Sequence, residues 1–213
     1  MKKIFVLVCC ALTFFSCKKD KIISTPDEVG ISKVTYFPIL TVVGDPIIAV
    51  ANGSTYTDPG VTAVAGTSNV PVTTSGTVNT AQDGVYSLNY TAVNKDGFSA
   101  SASRTVVVYT TMPDAVANDF SGTYLRGATG VNSYWTKLAP GVYIVANPGG
   151  AASGAGLTVI AFNKTGTSIT VPSQRSSDGN TSSASNITFT PAQYSWIFLN
   201  PGYGTGLRTF VKQ

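Results

Sequence analysis

Aromatic side chains are the residues whose types and spacing point most directly to chemistry. Tyr134 and Trp135 are neighbours in one strand-like stretch, Tyr194, Trp196 and Phe198 alternate in another, and Tyr203 sits in the turn sequence Pro201-Gly202-Tyr203-Gly204. Pyranose rings present apolar C–H faces that stack on aromatic rings while Asn, Ser or Arg takes their hydroxyls, so an exposed row of this kind suits a glycan chain. Tyr134, Trp135, Tyr194, Trp196 and Tyr203 are therefore the expected ligand residues. A competing reading makes Tyr194, Trp196 and Phe198 the core stripe of a β-domain with few other large side chains. Period-two alternation serves both readings equally.

Catalysis is not expected. The chain has no histidine, which removes the usual base of serine and cysteine triads and the commonest zinc ligand. Lys95, Lys137, Lys164 and Lys212 have no serine motif around them. Glycoside hydrolysis needs two carboxylates held roughly 5 to 10 Å apart, yet the only glutamate is Glu28, ahead of the folded region. Asp45 and Asp58 precede prolines, and Asp83, Asp96 and Asp178 precede glycines, contexts in which aspartate forms turns. Asp114 and Asp119 lie near a domain boundary, but no Asp-x-Asp loop gathers the roughly six to eight oxygens of a calcium site, so neither metal nor cofactor is expected. The glycines from Gly149 to Gly156 lack the lysine and helix that complete a phosphate cradle and read as a flexible loop.

The N-terminus has the three parts of a secretory leader: Lys2 and Lys3, an apolar run from Ile4 to Phe15, and the small residue Ser16 before Cys17. The run is shorter than the roughly 20 residues that span a bilayer. Phe14-Phe15-Ser16-Cys17 resembles a bacterial lipobox, which implies cleavage after residue 16 and acylation of Cys17. A thiolate is the side-chain nucleophile suited to accept a lipid, and two or more acyl chains make an anchor stable. Cys9 and Cys10 fall inside the leader, so the mature chain has no cysteine pair and no internal disulfide.

Residues 17–35 read as a lysine-rich, lipidated tether broken by Pro26 and Gly30. From Tyr36 onward eight basic residues face seven acidic ones, and without a basic stripe nucleic acid is not an expected partner. High Gly, Ser, Thr, Val and Tyr with little helical periodicity predicts an all-β protein. Residues 36–110 break into short strands at turn signals spaced about ten residues apart, the pattern of a β-sandwich. Their clearest unit is a hairpin: Val85–Val93 alternates, Asp96-Gly97 turns, and Phe98–Tyr109 returns. After a break at residues 110–114, residues 119–213 predict eight strands, 122–126, 133–138, 141–146, 157–162, 168–171, 186–190, 194–199 and 207–211, as a second antiparallel barrel or sandwich.

Four stretches carry a resemblance: Gly53-Ser54-Thr55-Tyr56-Thr57-Asp58-Pro59-Gly60-Val61-Thr62-Ala63, then Ser75-Gly76-Thr77-Val78-Asn79-Thr80, then Gly84-Val85-Tyr86-Ser87-Leu88-Asn89-Tyr90-Thr91-Ala92, and Ser103-Arg104-Thr105-Val106-Val107-Val108. They resemble the immunoglobulin-like repeat of bacterial surface proteins and of pesticidal crystal proteins, which implies an immunoglobulin-like sandwich acting as spacer or adhesive module. Residues 121–127 and 138–145 are similar to small Bacteroidetes lipoproteins that pair such a module with a compact β-domain. That resemblance implies an outer-membrane or cell-surface protein beside a glycan-uptake system. Two roles follow as expectations: a non-catalytic binding or accessory lipoprotein touching polysaccharide, or a structural module docking on an outer-membrane protein complex.

Overall fold

The computed structural model describes residues 24–25, 28–29, 32–154 and 156–213; the leader and Cys17 lie outside them. The chain divides into two compact units, residues 1–36 and 37–213. In the first, β1 (Ser24–Thr25), β2 (Glu28–Val29) and β3 (Ser32–Lys33) pair antiparallel in that order. Part of the stretch expected to be plain tether therefore carries backbone pairing.

The second unit holds both of the expected β-halves. Its N-terminal half packs two sheets. The strands are β4 (Ile39–Val42), β5 (Ile47–Ala51), β6 (Val61–Ala65), β7 (Ser68–Asn69), β8 (Val72–Ser75), β9 (Gly84–Val93) and β10 (Ser99–Tyr109). One sheet runs β5-β10-β9-β8 and the other β4-β6-β7. The β9–β10 hairpin forms because alternation and turn chemistry agree: Gly97 takes φ +87°, and the Asn94 carboxamide oxygen accepts from the Asp96 and Phe98 amides. Leu88, Tyr90 and Val106 point inward and meet Leu40, Val61 and Val72.

A buried charge crosses that core. Arg104 is wholly buried, and its Nε lies 3.0 Å from an Asp58 carboxylate oxygen. Its remaining donors reach the carbonyls of Asp45 and Val43 (2.6 Å), while the Tyr90 hydroxyl donates to Asp58 at 2.9 Å. The guanidinium thus ties the β4–β5 and β5–β6 loops to the sheet, and Asp58 is its counter-ion rather than a mere turn former.

After a one-turn helix, α1 (Pro113–Val116), the C-terminal half forms β11 (Gly122–Arg126), β12 (Val131–Ala139), β13 (Val142–Ala146), β14 (Thr158–Phe162), β15 (Gln174–Arg175), β16 (Thr181–Thr190), β17 (Gln193–Leu199) and β18 (Leu207–Lys212). They make one antiparallel sheet, β14-β13-β12-β11-β18-β17-β16-β15, curled into a nearly closed barrel. The strand expected at 168–171 reduces to a bridge between Thr170 and Phe162. At the seam one side chain replaces a ladder: the Gln174 carboxamide accepts from the Ile160 amide at 2.7 Å and donates to the Ile160 carbonyl at 2.8 Å. A primary amide has the donor and acceptor of a peptide group, so Gln174 links the two edge strands β14 and β15 through its side chain.

Val107, on the outer face of β10, packs against Val142, Ile160 and Phe162 of the barrel, with Ile47 and Val85 beside it. Asp83 adds a polar tie, accepting from Asn52, Thr110 and Lys164 at 2.7–2.9 Å. Burial pushes the Asp83 carboxyl up, but those hydrogen bonds outweigh it and hold the group below its ordinary value.

The buried phenols give a pH dependence. Burial, reinforced by the Asp58 charge, pushes Tyr56 up to about 12; burial pushes Tyr124 up to about 12 and raises Tyr194 further. An unfolded phenol titrates near 10, so the folded state holds these protons more tightly. Their contribution is complete below about pH 10 and is lost as pH rises through about 12. Alkaline titration followed residue by residue is expected to show the Tyr56, Tyr124 and Tyr194 phenolates appearing only together with unfolding; any of these three ionising in a still-folded chain near pH 10 would contradict it.

Candidate functional site

The barrel has one interior, and strand alternation decides which rings enter it. Trp135, Tyr194, Trp196 and Phe198 all face inward and are at most 3% exposed. Their rings interlock with Tyr124 and Phe210, with Tyr194 stacked on Phe210 at 4.6 Å and edge-on to Trp196 at 4.7 Å. The Trp196 indole N–H donates to the Pro148 carbonyl at 2.9 Å. The expectation that Trp135, Tyr194 and Trp196 meet a ligand is corrected here: those rings are the core stripe. Tyr134, one residue out of phase with Trp135, stands half exposed on the outer wall.

Tyr203 is partly covered, and it explains the glycines. A Cβ on Gly149 would fall 2.0 Å from the Tyr203 ring, and one on Gly154 would fall 1.9 Å from its hydroxyl. Gly149, Gly150 and Gly154 are buried. Glycine stands there because an aromatic ring lies on the backbone, and the expectation of a simple flexible loop gives way to a packed cradle. Arg208 covers the other side of the ring, 5.5 Å from its centroid. The structure thus separates the expected ligand residues among core, outer wall and cradle, and does not gather them into one site.

A different place has the form of a site. A groove of about 500 Å³ runs between the outer face of β9 and β10 and the barrel seam at β14 and β15. Ser87, Asn89, Ser101, Ser103 and Thr105 line one wall and Arg175 stands on the other. Among the described residues none of these six side chains has an intramolecular hydrogen-bond partner. The seam wall is fixed by contrast. The Ser177 hydroxyl accepts from the Thr158 amide at 2.9 Å and donates to the Gly156 carbonyl at 2.7 Å. Ser176 donates to Asp178 at 2.6 Å, and Asp178 also accepts from Asn180 and Asn200. Burial raises the Asp178 carboxyl, but these donors prevail and hold it well below the usual carboxylate range, so it stays an ionised acceptor and has no proton to give.

Arg175 is the only charged residue lining the groove. The rest of the lining is mainly hydroxyl, carboxamide and small apolar side chains, a set able to hydrogen-bond hydroxyl-bearing or amide-bearing groups. Asp114 accepts from the Thr165 hydroxyl and the Gly166 amide, both at 2.9 Å, and Asp119 accepts from the Ser121 amide; each serves its own loop. Sequence reasoning missed the groove because serine, threonine and asparagine form no motif. One signal was available: the outward strand positions of 85–93 and 99–105 carry no lysine or glutamate, unusual for a solvated sheet face.

Residues 40–108 match the family described as bacterial surface protein, Ig-like domain. Among solved structures, the lipoprotein BT2262 of Bacteroides thetaiotaomicron is similar at 22% identity and a TM-score of 0.46, covering 83% of this chain and 100% of its own. No curated protein matches the chain. Over residues 40–108 this chain therefore carries an immunoglobulin-like domain of the kind found in bacterial surface proteins.

Proposed function

We propose that the protein is a non-catalytic glycan-binding or accessory component of the bacterial cell surface, held to the outer membrane by a lipid on Cys17 and serving glycan uptake. The groove carries this reading. It offers five hydroxyl or carboxamide side chains and one guanidinium, all without intramolecular partners, against a wall pinned by its own hydrogen bonds. Sugar hydroxyls are donors and acceptors at once and match such a lining, whereas an apolar ligand would leave it unsatisfied. A preformed wall also lowers the ordering cost of binding.

A docking role on an outer-membrane protein is the second reading. It draws on Leu199, Leu207 and Val211, exposed on the outer face of β17 and β18. Retention of the full chain on immobilised polysaccharides separates the two. Wild type and Tyr134→Ala are expected to be retained on the same polymer, and Ser103→Trp, which fills the groove from an exposed strand position, to pass through. If no polymer retains the wild type, the glycan reading falls and docking takes its place.

A further inference from the structure

The unpartnered side chains along the groove belong to a larger ordered set. Across the outer face of β8, β9 and β10 the register sets Ser87 beside Thr105, then Ser75, Asn89 and Ser103 in a row, then Thr73, Thr91 and Ser101 in the next. None of these side chains hydrogen-bonds within the described residues. Within a row the spacing is that of adjacent strands, about 4.8 Å, and between rows that of same-face residues, about 7 Å. The result is a regular lattice of hydroxyls and one carboxamide, uncharged throughout, that begins inside the groove and continues onto the open sheet.

From this lattice we infer that the ligand is a neutral, unbranched polysaccharide, laid over the β8–β10 face with one stretch held in the groove; the inference rests on the glycan reading above. A lattice with a fixed repeat matches a polymer that presents hydroxyls at a regular interval, and the barrel wall that bounds the groove leaves an unbranched chain more room there than a branched one. Charge selects as well. The lattice has no cation to meet a uronate or sulfate, and Arg175 stands alone at the far wall. No ring other than Tyr86 lines the groove, so affinity comes from many weak hydrogen bonds and must grow with chain length. Each further sugar binds as an intramolecular event once the first is held.

The test is isothermal titration of the full chain with cello-, xylo- and malto-oligosaccharides from dimer to hexamer, with oligogalacturonate as the acidic counterpart. For one neutral series the hexamer is expected to bind at least about tenfold more tightly than the dimer. The affinity should hold between low and high salt. Asn89→Ala/Ser103→Ala, which removes the central row at exposed positions, is expected to weaken the hexamer about tenfold with an unchanged melting temperature. Should that variant bind like wild type, the lattice is not the site although the glycan reading stands. Preference for oligogalacturonate would overturn the neutral class. If neither these oligosaccharides nor any immobilised polysaccharide binds the wild type, both readings fall together.

Discussion

Asp58→Ala is expected to lower stability by about 3–5 kcal/mol, because it leaves the buried Arg104 guanidinium without its counter-ion. The loss is larger than a surface ion pair would give, since the Arg104 side chain is fully buried and a buried charge without a partner is costly. Denaturant midpoints check it. The informative comparison is with Asp58→Leu/Arg104→Met, which removes both charges and should be less destabilised than the single variant. A single variant as stable as wild type would mean that the network linking Tyr90, Asp58 and Arg104 contributes nothing net.

Trp196→Ala is expected to cost a further class of energy, about 3–5 kcal/mol from lost contact and a cavity in the barrel core. Its ring is fully buried against Tyr194, Phe198 and Phe210, and its indole N–H leaves the Pro148 carbonyl unpaired when removed. Tyr134→Ala, on the outer wall, should shift stability by less than about 1 kcal/mol. This pair separates the barrel core from its outer wall. A Trp196→Ala protein with wild-type stability but no glycan retention would restore the indole to a binding role.

Much of the fold was legible because local signals agreed. In the 85–109 hairpin, alternation, Asp96-Gly97 and β-branched residues all point one way, and the strands fall where expected. The Pro140-Gly141 turn between β12 and β13 behaves likewise, with Gly141 at φ +67°. Strand β15 was not legible: two residues long, it closes the barrel through the Gln174 side chain, and no periodicity marks a single carboxamide. Arg104 carried a signal that was overlooked, since it shares parity with Ala102 and Val106 and so had to point inward with them.

The aromatic stripe shows the limit of pattern alone. Alternation fixes that Tyr194, Trp196 and Phe198 share a face, but only closure of the barrel makes that face the inside. The groove was hidden for another reason: its walls come from Pro46 and Ile47, from Val85 to Thr105 and from Thr158 to Gly179, and their packing through Val107, Ile160 and Phe162 brings distant residues together. Its chemistry is that of common surface residue types, so only their location sets them apart.

The most direct measurement is backbone amide chemical-shift mapping of the labelled full chain during titration with the oligosaccharide hexamers. The account predicts perturbations concentrated on the outer face of β8–β10 and on residues 174–179, with Tyr134 and the Tyr203 cradle unchanged. Perturbations centred on Tyr134 or Tyr203, or none at all at saturating sugar, would contradict it.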